Sequence, residues 1–217
     1  MMAQDTVGLL DGLGWGKVHV CGISMGGMIS QELALLLGEE RCLSLTLLAT
    51  HAGGWLNKFP PIKGAKHFLK ALTFDSKTDT EDVVENAIQM LYGSNTLNDP
   101  VSMELAREYH TRMIQIKKDF PITRNGMTGQ MAAVASHGVT ADRLRKIGAM
   151  KFKKLVVVGT EDNLVRHTNS KYIADHIGAT YVEVQGHGHV ITISYRDELN
   201  PLLDELWGGK GRFADTP

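Results

Sequence analysis

The sequence predicts an α/β protein in which a mostly parallel sheet carries helices on both faces and a helical segment is inserted into it. Over residues 1–54, and again over residues 140–207, short apolar runs alternate with segments of helical periodicity, which is typical of a parallel sheet. Between them, residues 55–139 show helical segments and almost no strand signal, which predicts an inserted helical lid. Residues 208–217 are rich in glycine and are predicted to be a flexible tail.

The elements of the first part follow from apolar spacing and from glycine stops. An amphipathic helix is predicted first, ending at Gly14. A buried strand, a second helix and a second buried strand follow, and the last of these leads into a glycine-rich loop of the kind that lines a pocket mouth. The predicted bounds are residues 2–13, 18–21, 25–37 and 43–49, with the loop at residues 50–54.

The insertion and the second part are predicted in the same way. Four helices fall in the insertion, near residues 62–72, 80–92, 100–116 and 126–136. After it, helices alternate again with apolar runs, which restores the sheet pattern. The predicted elements are helices at 141–147, 167–177 and 194–207 and buried strands at 154–158 and 180–184.

Composition excludes several classes of function. The formal net charge is −1 and no basic cluster occurs, which argues against electrostatic binding to nucleic acid. No apolar run approaches the roughly 20 residues that cross a bilayer, and no signal peptide is apparent. The two cysteines, Cys21 in a predicted buried strand and Cys42, favour a reducing compartment over a disulfide framework. We therefore expect a cytoplasmic protein with no transmembrane segment, and we expect Cys21 in the core.

The sequence Gly-Ile-Ser-Met-Gly at residues 22–26 stands where the first predicted strand meets the second helix. A turn this sharp brings strand and helix backbones together, so we expect Gly22 and Gly26 to be there because a side chain would not fit. The same turn exposes the hydroxyl of Ser24 beside the N–H groups of the first helical turn, which stabilise developing negative charge. Ser24 is therefore a candidate nucleophile.

Two later loops supply the groups that a serine nucleophile needs. One predicted strand ends in Gly-Thr-Glu-Asp at residues 159–162, and the last strand ends in Gln-Gly-His-Gly-His at residues 185–189. The carboxyl ends of parallel strands share one edge of a sheet, where ligand sites collect. A serine hydroxyl needs a base to take its proton, and an imidazole needs a partner that fixes its tautomer.

The order Ser, Asp, His, the three loops and the helical insertion resemble the serine hydrolases of the α/β-hydrolase superfamily over nearly the whole chain. This resemblance implies Ser24 as nucleophile, Asp162 as the orienting acid, His189 as the base and the Met25 N–H as an oxyanion-hole donor. The sharp strand–helix turn that carries Ser24 is called the nucleophile elbow in this superfamily. A serine at the elbow implies acyl transfer, whereas relatives that carry aspartate there perform other reactions.

Neighbouring residues offer alternatives within the same loops. Glu161 stands beside Asp162, and His187 stands two positions before His189; the superfamily spacing favours the second member of each pair. The other histidines lack the spacing of a metal site, although His51, just after a strand, is a candidate for the pocket wall. No phosphate-binding loop occurs, so we expect neither a metal nor a cofactor.

The resemblance also predicts what is missing. Members of the superfamily usually have further strands before the elbow, and a loop after one of them gives the second oxyanion donor. We therefore interpret the sequence as the C-terminal part of a longer hydrolase, and we expect the strand at residues 18–21 to be an exposed edge through which the chain self-associates. If the chain is nonetheless active, residues 50–54 are the alternative source of the second donor.

The function predicted from the sequence is a serine hydrolase that cleaves a carboxylic ester of a small-molecule substrate through an acyl-enzyme. The alternative is a catalytically impaired fragment of the same fold that acts only in binding or assembly.

Overall fold

The computed structural model describes residues 1–54, 60–74, 78–121 and 123–214. Four strands and eleven helices are found within these residues. In chain order they are α1 (Met2–Gly12), β1 (Val18–Ile23), α2 (Met25–Arg41), β2 (Cys42–Leu48), α3 (Ile62–Leu72), α4 (Thr80–Leu91), α5 (Ser94–Leu97), α6 (Pro100–Asp119), α7 (Arg124–Ser136), α8 (Ala141–Ala149), β3 (Lys153–Gly159), α9 (His167–Ile177), β4 (Thr180–Val184), α10 (Ile191–Ser194) and α11 (Arg196–Gly208). The α/β fold class predicted from the sequence is confirmed.

The four strands form one parallel sheet in the order β1-β2-β3-β4. Each strand therefore lies beside the next one in sequence, and the connecting helices cross over the faces as parallel pairing requires. Within the described residues β1 has a partner only on its β2 side, so it is an edge of the sheet, as the sequence predicted. Self-association through this edge stays a prediction.

An apolar cluster covers each face of the sheet. On one face, side chains of β2 and β3 such as Leu45, Leu47 and Val156 pack with α1, α2, α8 and α9. On the other face, Leu155 and Val157 pack against α11 and the chain that follows it. Because strand residues alternate between faces, the uninterrupted apolar run of β3 serves both clusters.

Helices α3 to α7, here called the helical region, lie between β2 and α8 in sequence. A third apolar cluster in this region contains Val84, Ile88, Tyr92 and Ala106. Val190 and Ile193, which follow the last strand, pack against it. The helical region thus shares its core with the chain segment just after His189. Its predicted start at residue 55 lies outside the described residues.

Cys21 corrects one expectation, because it is exposed rather than buried. The burial along β1 alternates, with Val20 and Gly22 buried and His19 and Cys21 exposed. An apolar run predicts a strand that is buried on both faces. An edge strand is buried on both faces only if helices extend over it on each side of the sheet. Here α2 covers one face, while on the other the ring of Trp207 reaches His19, at 5.9 Å between centroids.

The C-terminal part shows two further differences. The helix predicted at 194–207 begins at Arg196 as α11, and a separate short helix, α10, precedes it, since the backbone leaves helical geometry at Tyr195. The glycine-rich tail was predicted to be flexible, but Gly211–Phe213 forms a short 3₁₀ turn in which Phe213 is 1% exposed. Its ring packs in the cluster beneath α11, so apolar burial outweighs the backbone freedom of the glycines there. Residues 215–217 lie outside the described part.

None of the helices in the described residues combines the length and the apolar character needed to cross a bilayer.

Candidate active site

The three residues predicted to form a catalytic triad all follow strands at the same edge of the sheet. Ser24 comes directly after β1, Asp162 follows the end of β3, and His189 follows β4. Since β1, β3 and β4 run parallel, their carboxyl ends point the same way. This is the edge where ligand sites of open parallel sheets occur.

The backbone at Ser24 is strained, with φ 53° and ψ −119°. A non-glycine residue with positive φ is uncommon and persists only where its surroundings hold it. Here the Ser24 N–H donates to the Leu48 carbonyl at 2.9 Å, and the Ser24 carbonyl accepts from the Met28 N–H at 3.1 Å and from the Thr50 hydroxyl at 2.7 Å. The strand–turn–helix arrangement of a nucleophile elbow is therefore present.

The two glycines of the elbow differ in why they are needed. A Cβ on Gly22 would lie 2.3 Å from the Ser30 hydroxyl and 2.4 Å from the Gly26 carbonyl, so only glycine fits. A Cβ on Gly26 would meet nothing within 4 Å, contrary to the expectation from the sequence. The close approach falls instead on Gly27, whose Cβ would lie 2.7 Å from the side chain of Thr50.

Asp162 and His189 form a buried pair. The Nδ1 of His189 lies 2.8 Å from Oδ2 of Asp162, and the two residues are 5% and 4% exposed. The other carboxylate oxygen, Oδ1, accepts the N–H groups of Leu164 and Val165, each at 2.8 Å. Because an ionised carboxylate only accepts hydrogen bonds, Nδ1 carries the proton in this pair. The Nε2 lone pair of His189 is then left to act as a base.

The alternative residues in the two loops have other partners. The Glu161 carboxylate accepts two hydrogen bonds from Ser94, one from the N–H and one from the hydroxyl, each at 2.7 Å. These bonds hold the pKa of Glu161 below its ordinary value, and Lys63 and His187 add smaller contributions in the same direction. His187 is half-buried and its Nδ1 lies 3.1 Å from the Ser194 hydroxyl. The pair that the structure brings together is Asp162 and His189.

One link of the predicted triad is open. Within the described residues the hydroxyl of Ser24 has no hydrogen-bond partner, so the bond from Ser24 to the imidazole of His189 is not made. Catalytic hydrogen bonds are often long in proteins without substrate and shorten when substrate binds.

The predicted oxyanion donor, Met25, is the first residue of α2. N–H groups of the first helical turn have no carbonyl partner within the helix. In the loop considered for a second donor, the N–H of Gly53 is already taken by Nδ1 of His51 at 2.9 Å. His51 itself is 4% exposed. Its carbonyl accepts from the Gln31 amide at 3.1 Å, so it belongs to the packing of this loop.

A cavity of about 920 Å³ lies beside the elbow, between α1, α2 and α7. Met25, Met28, Ile29 and Leu36 contribute apolar surface to it, and His137 lies at its wall. Ser24, Asp162 and His189 are not among the lining residues. Met25, the residue after Ser24, is a lining residue that the cavity shares with the strand–helix turn.

Sequence reasoning missed the residues that support these loops. Thr50 holds the Ser24 carbonyl, and Ser94 holds Glu161, yet each comes from a distant part of the chain. Thr50 lies in the loop predicted at residues 50–54 and Ser94 begins α5, but a single threonine or serine carries no motif that indicates these contacts. No group of three or more His, Cys, Asp or Glu side chains suited to a metal ion occurs in the part of the chain that the structure describes.

The strained serine at a strand–helix turn and the acid–histidine pair at the same sheet edge define a protein of the α/β-hydrolase class. Residues 1–194 match the alpha/beta hydrolase fold family, and the chain belongs to this family.

Similar proteins with different named activities are found among both sequences and solved structures. The chain is 24% identical over 202 residues to the poly(3-hydroxyalkanoate) depolymerase of Ectopseudomonas oleovorans, a match that covers 93% of this chain and 65% of that protein. The chain thus spans just under two thirds of the length of that relative. Among solved structures, a thermophilic esterase from Thermogutta terrifontis superposes with a TM-score of 0.67 at 22% identity, covering 94% of this chain and 70% of that one.

A second solved structure is the 2-hydroxy-6-oxo-6-phenylhexa-2,4-dienoate hydrolase from Rhodococcus sp. strain RHA1. It superposes with a TM-score of 0.67 at 20% identity, covering 96% of this chain and 70% of that one. At these identities the two structural likenesses show the fold alone, because one fold carries many reactions.

Proposed function

We propose that this chain is a serine hydrolase that cleaves carboxylic esters through an acyl-enzyme, with Ser24 as nucleophile, His189 as base and Asp162 as the orienting acid. The observation that carries the proposal is the buried hydrogen bond of 2.8 Å between His189 and Asp162, at the sheet edge where the strained Ser24 ends β1. A buried acid–imidazole pair beside a sharply turned serine is the arrangement that activates a hydroxyl.

In the first half of the proposed reaction, Nε2 of His189 takes the proton of Ser24 as the hydroxyl oxygen attacks the ester carbonyl. The negative charge that develops on the carbonyl oxygen lies near the N–H of Met25, at the positive end of the α2 dipole. The tetrahedral intermediate collapses, the C–O bond to the alcohol breaks, and the imidazolium returns its proton to the leaving oxygen. The product is an acyl ester of Ser24 and a free alcohol.

In the second half, water replaces the alcohol. Nε2 of His189 takes a proton from water as its oxygen attacks the acyl carbon, and Ser24 leaves with that proton. Throughout both halves the carboxylate of Asp162 keeps its hydrogen bonds from Leu164, Val165 and His189. It fixes the tautomer of the imidazole and stabilises the cation.

An ester with an apolar acyl group is the proposed substrate class. The cavity beside Met25 is lined largely by methionine and aliphatic side chains, which suit an apolar group of variable shape. The name of the depolymerase relative records a polymer whose units are joined by ester bonds. This supports ester cleavage over other acyl transfers.

The test is covalent labelling of the 217-residue chain with a fluorophosphonate, followed by mass mapping of the modified peptide. We expect the label on Ser24, loss of labelling in Ser24→Ala, and unchanged labelling in the control Ser102→Ala, a serine on α6 whose contacts are local. Hydrolysis of a p-nitrophenyl ester would follow the same pattern.

The second candidate is a binding or assembly role without catalysis. Two observations favour it: the open link between Ser24 and His189, and the unpaired edge of β1 within the described residues. A chain that stays unlabelled under conditions that label a known serine hydrolase would decide for this candidate.

A further inference from the structure

Residues 91–95, which span the end of α4 and the start of α5, contact the histidine loop directly. The carbonyl of Leu91 accepts the N–H of His189 at 2.8 Å. The N–H of Asn95 donates to the Gly186 carbonyl at 3.0 Å, and its side-chain amide donates to the Gln185 carbonyl at 2.9 Å. The helical region therefore fixes the backbone of the loop that carries the proposed base.

The same short segment also holds the acid loop. The N–H and the hydroxyl of Ser94 both donate to the carboxylate of Glu161, each at 2.7 Å, and Glu161 is the residue next to Asp162. The N–H of Glu161 in turn donates to the His187 carbonyl at 2.9 Å. Two ionic hydrogen bonds to one carboxylate are stronger and better oriented than neutral ones.

Three backbones meet at this point without room for a side chain. A Cβ on Gly93 would lie 2.4 Å from the Gly186 carbonyl, and a Cβ on Gly188 would lie 2.4 Å from the Leu91 carbonyl. A Cβ on Gly159 would lie 2.1 Å from the His187 carbonyl. Such close packing transmits a small displacement of one loop to the others.

We infer that Ser94 and Glu161 form a positioning pair, which aligns the acid loop with the histidine loop and so keeps Asp162 and His189 in their reactive geometry. This inference rests on the proposed function, since it assigns the pair a role in that reaction. Neither residue touches the reacting atoms. They act through Asp162 and His189.

The pair contributes more to alignment than to stability. Glu161 is exposed and Ser94 is half-buried, and contacts of exposed charges stabilise a fold only weakly. Alignment is more sensitive, because a displacement of about 1 Å can slow an enzymatic reaction about 100-fold. Loss of the pair is therefore expected to slow chemistry while leaving substrate binding and the melting temperature nearly unchanged.

The experiment compares Glu161→Gln, Ser94→Ala, their double variant and the conservative Ser94→Thr. Glu81→Gln is the matched control, since Glu81 is an exposed acid on α4 that pairs with Arg107 away from the site. The maximal rate of fluorophosphonate labelling and its half-saturating concentration are measured for each. Proton NMR follows the hydrogen-bonded Nδ1–H of His189, assigned with His189→Ala.

We expect the maximal labelling rate to fall about tenfold in Glu161→Gln and in Ser94→Ala, with an unchanged half-saturating concentration. The double variant is expected to be no slower than the slower single variant, because both changes remove one contact. Ser94→Thr restores the rate, and melting temperatures stay within about 4 °C of the parent. The His189 resonance shifts or broadens in Glu161→Gln but not in Glu81→Gln.

Failure of this inference differs from failure of the proposed function. Parent-like labelling and an unmoved His189 resonance in Glu161→Gln would overturn the positioning role, as would an equal loss in Glu81→Gln. If the parent chain is not labelled at all, the proposed function fails. The His189 resonance still decides the positioning role in that case.

Discussion

The two halves of the candidate site are built differently. The loops after β3 and β4, here the acid–base side, form a closed set of hydrogen bonds around Asp162 and His189. The loops after β1 and β2, here the nucleophile side, hold Ser24 by its backbone, while its hydroxyl has no partner within the described residues. The acid–base side thus holds the side chains of Asp162 and His189, whereas the nucleophile side holds the strained backbone turn at Ser24.

The difference follows from the helical region rather than from the sheet, since each side has one interior strand and one edge strand within the described residues. On the acid–base side, the helical region packs onto both loops. On the nucleophile side, β1 is an edge of the sheet in the described residues, with Cys21 exposed and open space at Gly26. Local geometry at Ser24 is nonetheless retained, because Leu48, Thr50 and Met28 bind its backbone.

The largest effect is expected from the base. His189→Ala should reduce labelling and ester turnover about as much as Ser24→Ala, since the members of a triad act as one unit. His187→Ala is the control in the same loop and should keep most of the activity, because His187 contacts Ser194 and not Asp162. The kinetics of both variants with a p-nitrophenyl ester measure this difference. An inactive His187→Ala variant beside an active His189→Ala variant would mean that His187, not His189, is the base.

Asp162→Asn is expected to have the next largest effect. The amide keeps the size of the side chain, but it presents a donor where Nδ1–H of His189 now donates, so the tautomer is no longer fixed. We expect turnover to fall by roughly 100- to 10,000-fold, less than in His189→Ala. Glu161→Gln, one residue earlier, is the matched change. If the two variants lost activity equally, the special role of Asp162 would be refuted.

The acid–base side also shows how much of the structure could be predicted from the sequence. The bounds of α3, α9 and β4 agree with the predicted ones because strong periodicity and clear stops, such as Gly178 after α9, set them locally. The placement of Ser24, Asp162 and His189 at one edge follows from parallel strands alone. The superfamily spacing favours Asp162 over Glu161, but the contact that holds Glu161 comes from Ser94, 67 residues away in sequence, and no local pattern contains it.

The nucleophile side shows where local reasoning fails. Gly26 lies in a strong motif that predicts a crowded turn, and Cys21 lies in an apolar run that predicts a buried strand. Their actual surroundings depend on which strand or helix lies beside β1, which is a property of the whole sheet. The burial of Phe213 in a glycine-rich tail is the same kind of long-range effect.

A smaller effect is expected from Thr50, the support of the elbow. Thr50→Val removes the hydroxyl that donates to the Ser24 carbonyl at 2.7 Å and leaves the shape of the side chain nearly unchanged. We expect stability to fall by about 1 kcal/mol and the labelling rate to fall by about tenfold as the turn relaxes. Both are measured on the same preparation, by thermal unfolding and by fluorophosphonate labelling.

Ser170→Ala is the control for Thr50. Its hydroxyl donates to the Thr50 carbonyl at 2.8 Å and it is equally buried, but it does not touch Ser24. The same loss of stability with an unchanged labelling rate is expected. If both variants slowed labelling alike, the effect of Thr50 would be one of general packing rather than of the elbow.

The smallest effect is expected at Gly26, where the comparison of the two sides is sharpest. In the 217-residue chain, Gly26→Ala places a methyl group in the open groove of about 310 Å³ beside β1. Because alanine is the better helix former, the free energy of unfolding should stay the same or rise by up to about 1 kcal/mol.

Gly22→Ala, two residues before Ser24, is the opposite case, since its methyl group would overlap the Gly26 carbonyl. This overlap should lower the free energy of unfolding by about 1 to 3 kcal/mol. Thermal unfolding of both variants, with light scattering to record the oligomeric state, would test the pair. A Gly26→Ala variant that loses stability or changes its mass would mean that a further chain segment or a second copy covers the edge of β1 in solution, and the nucleophile side would then be as closely packed as the acid–base side.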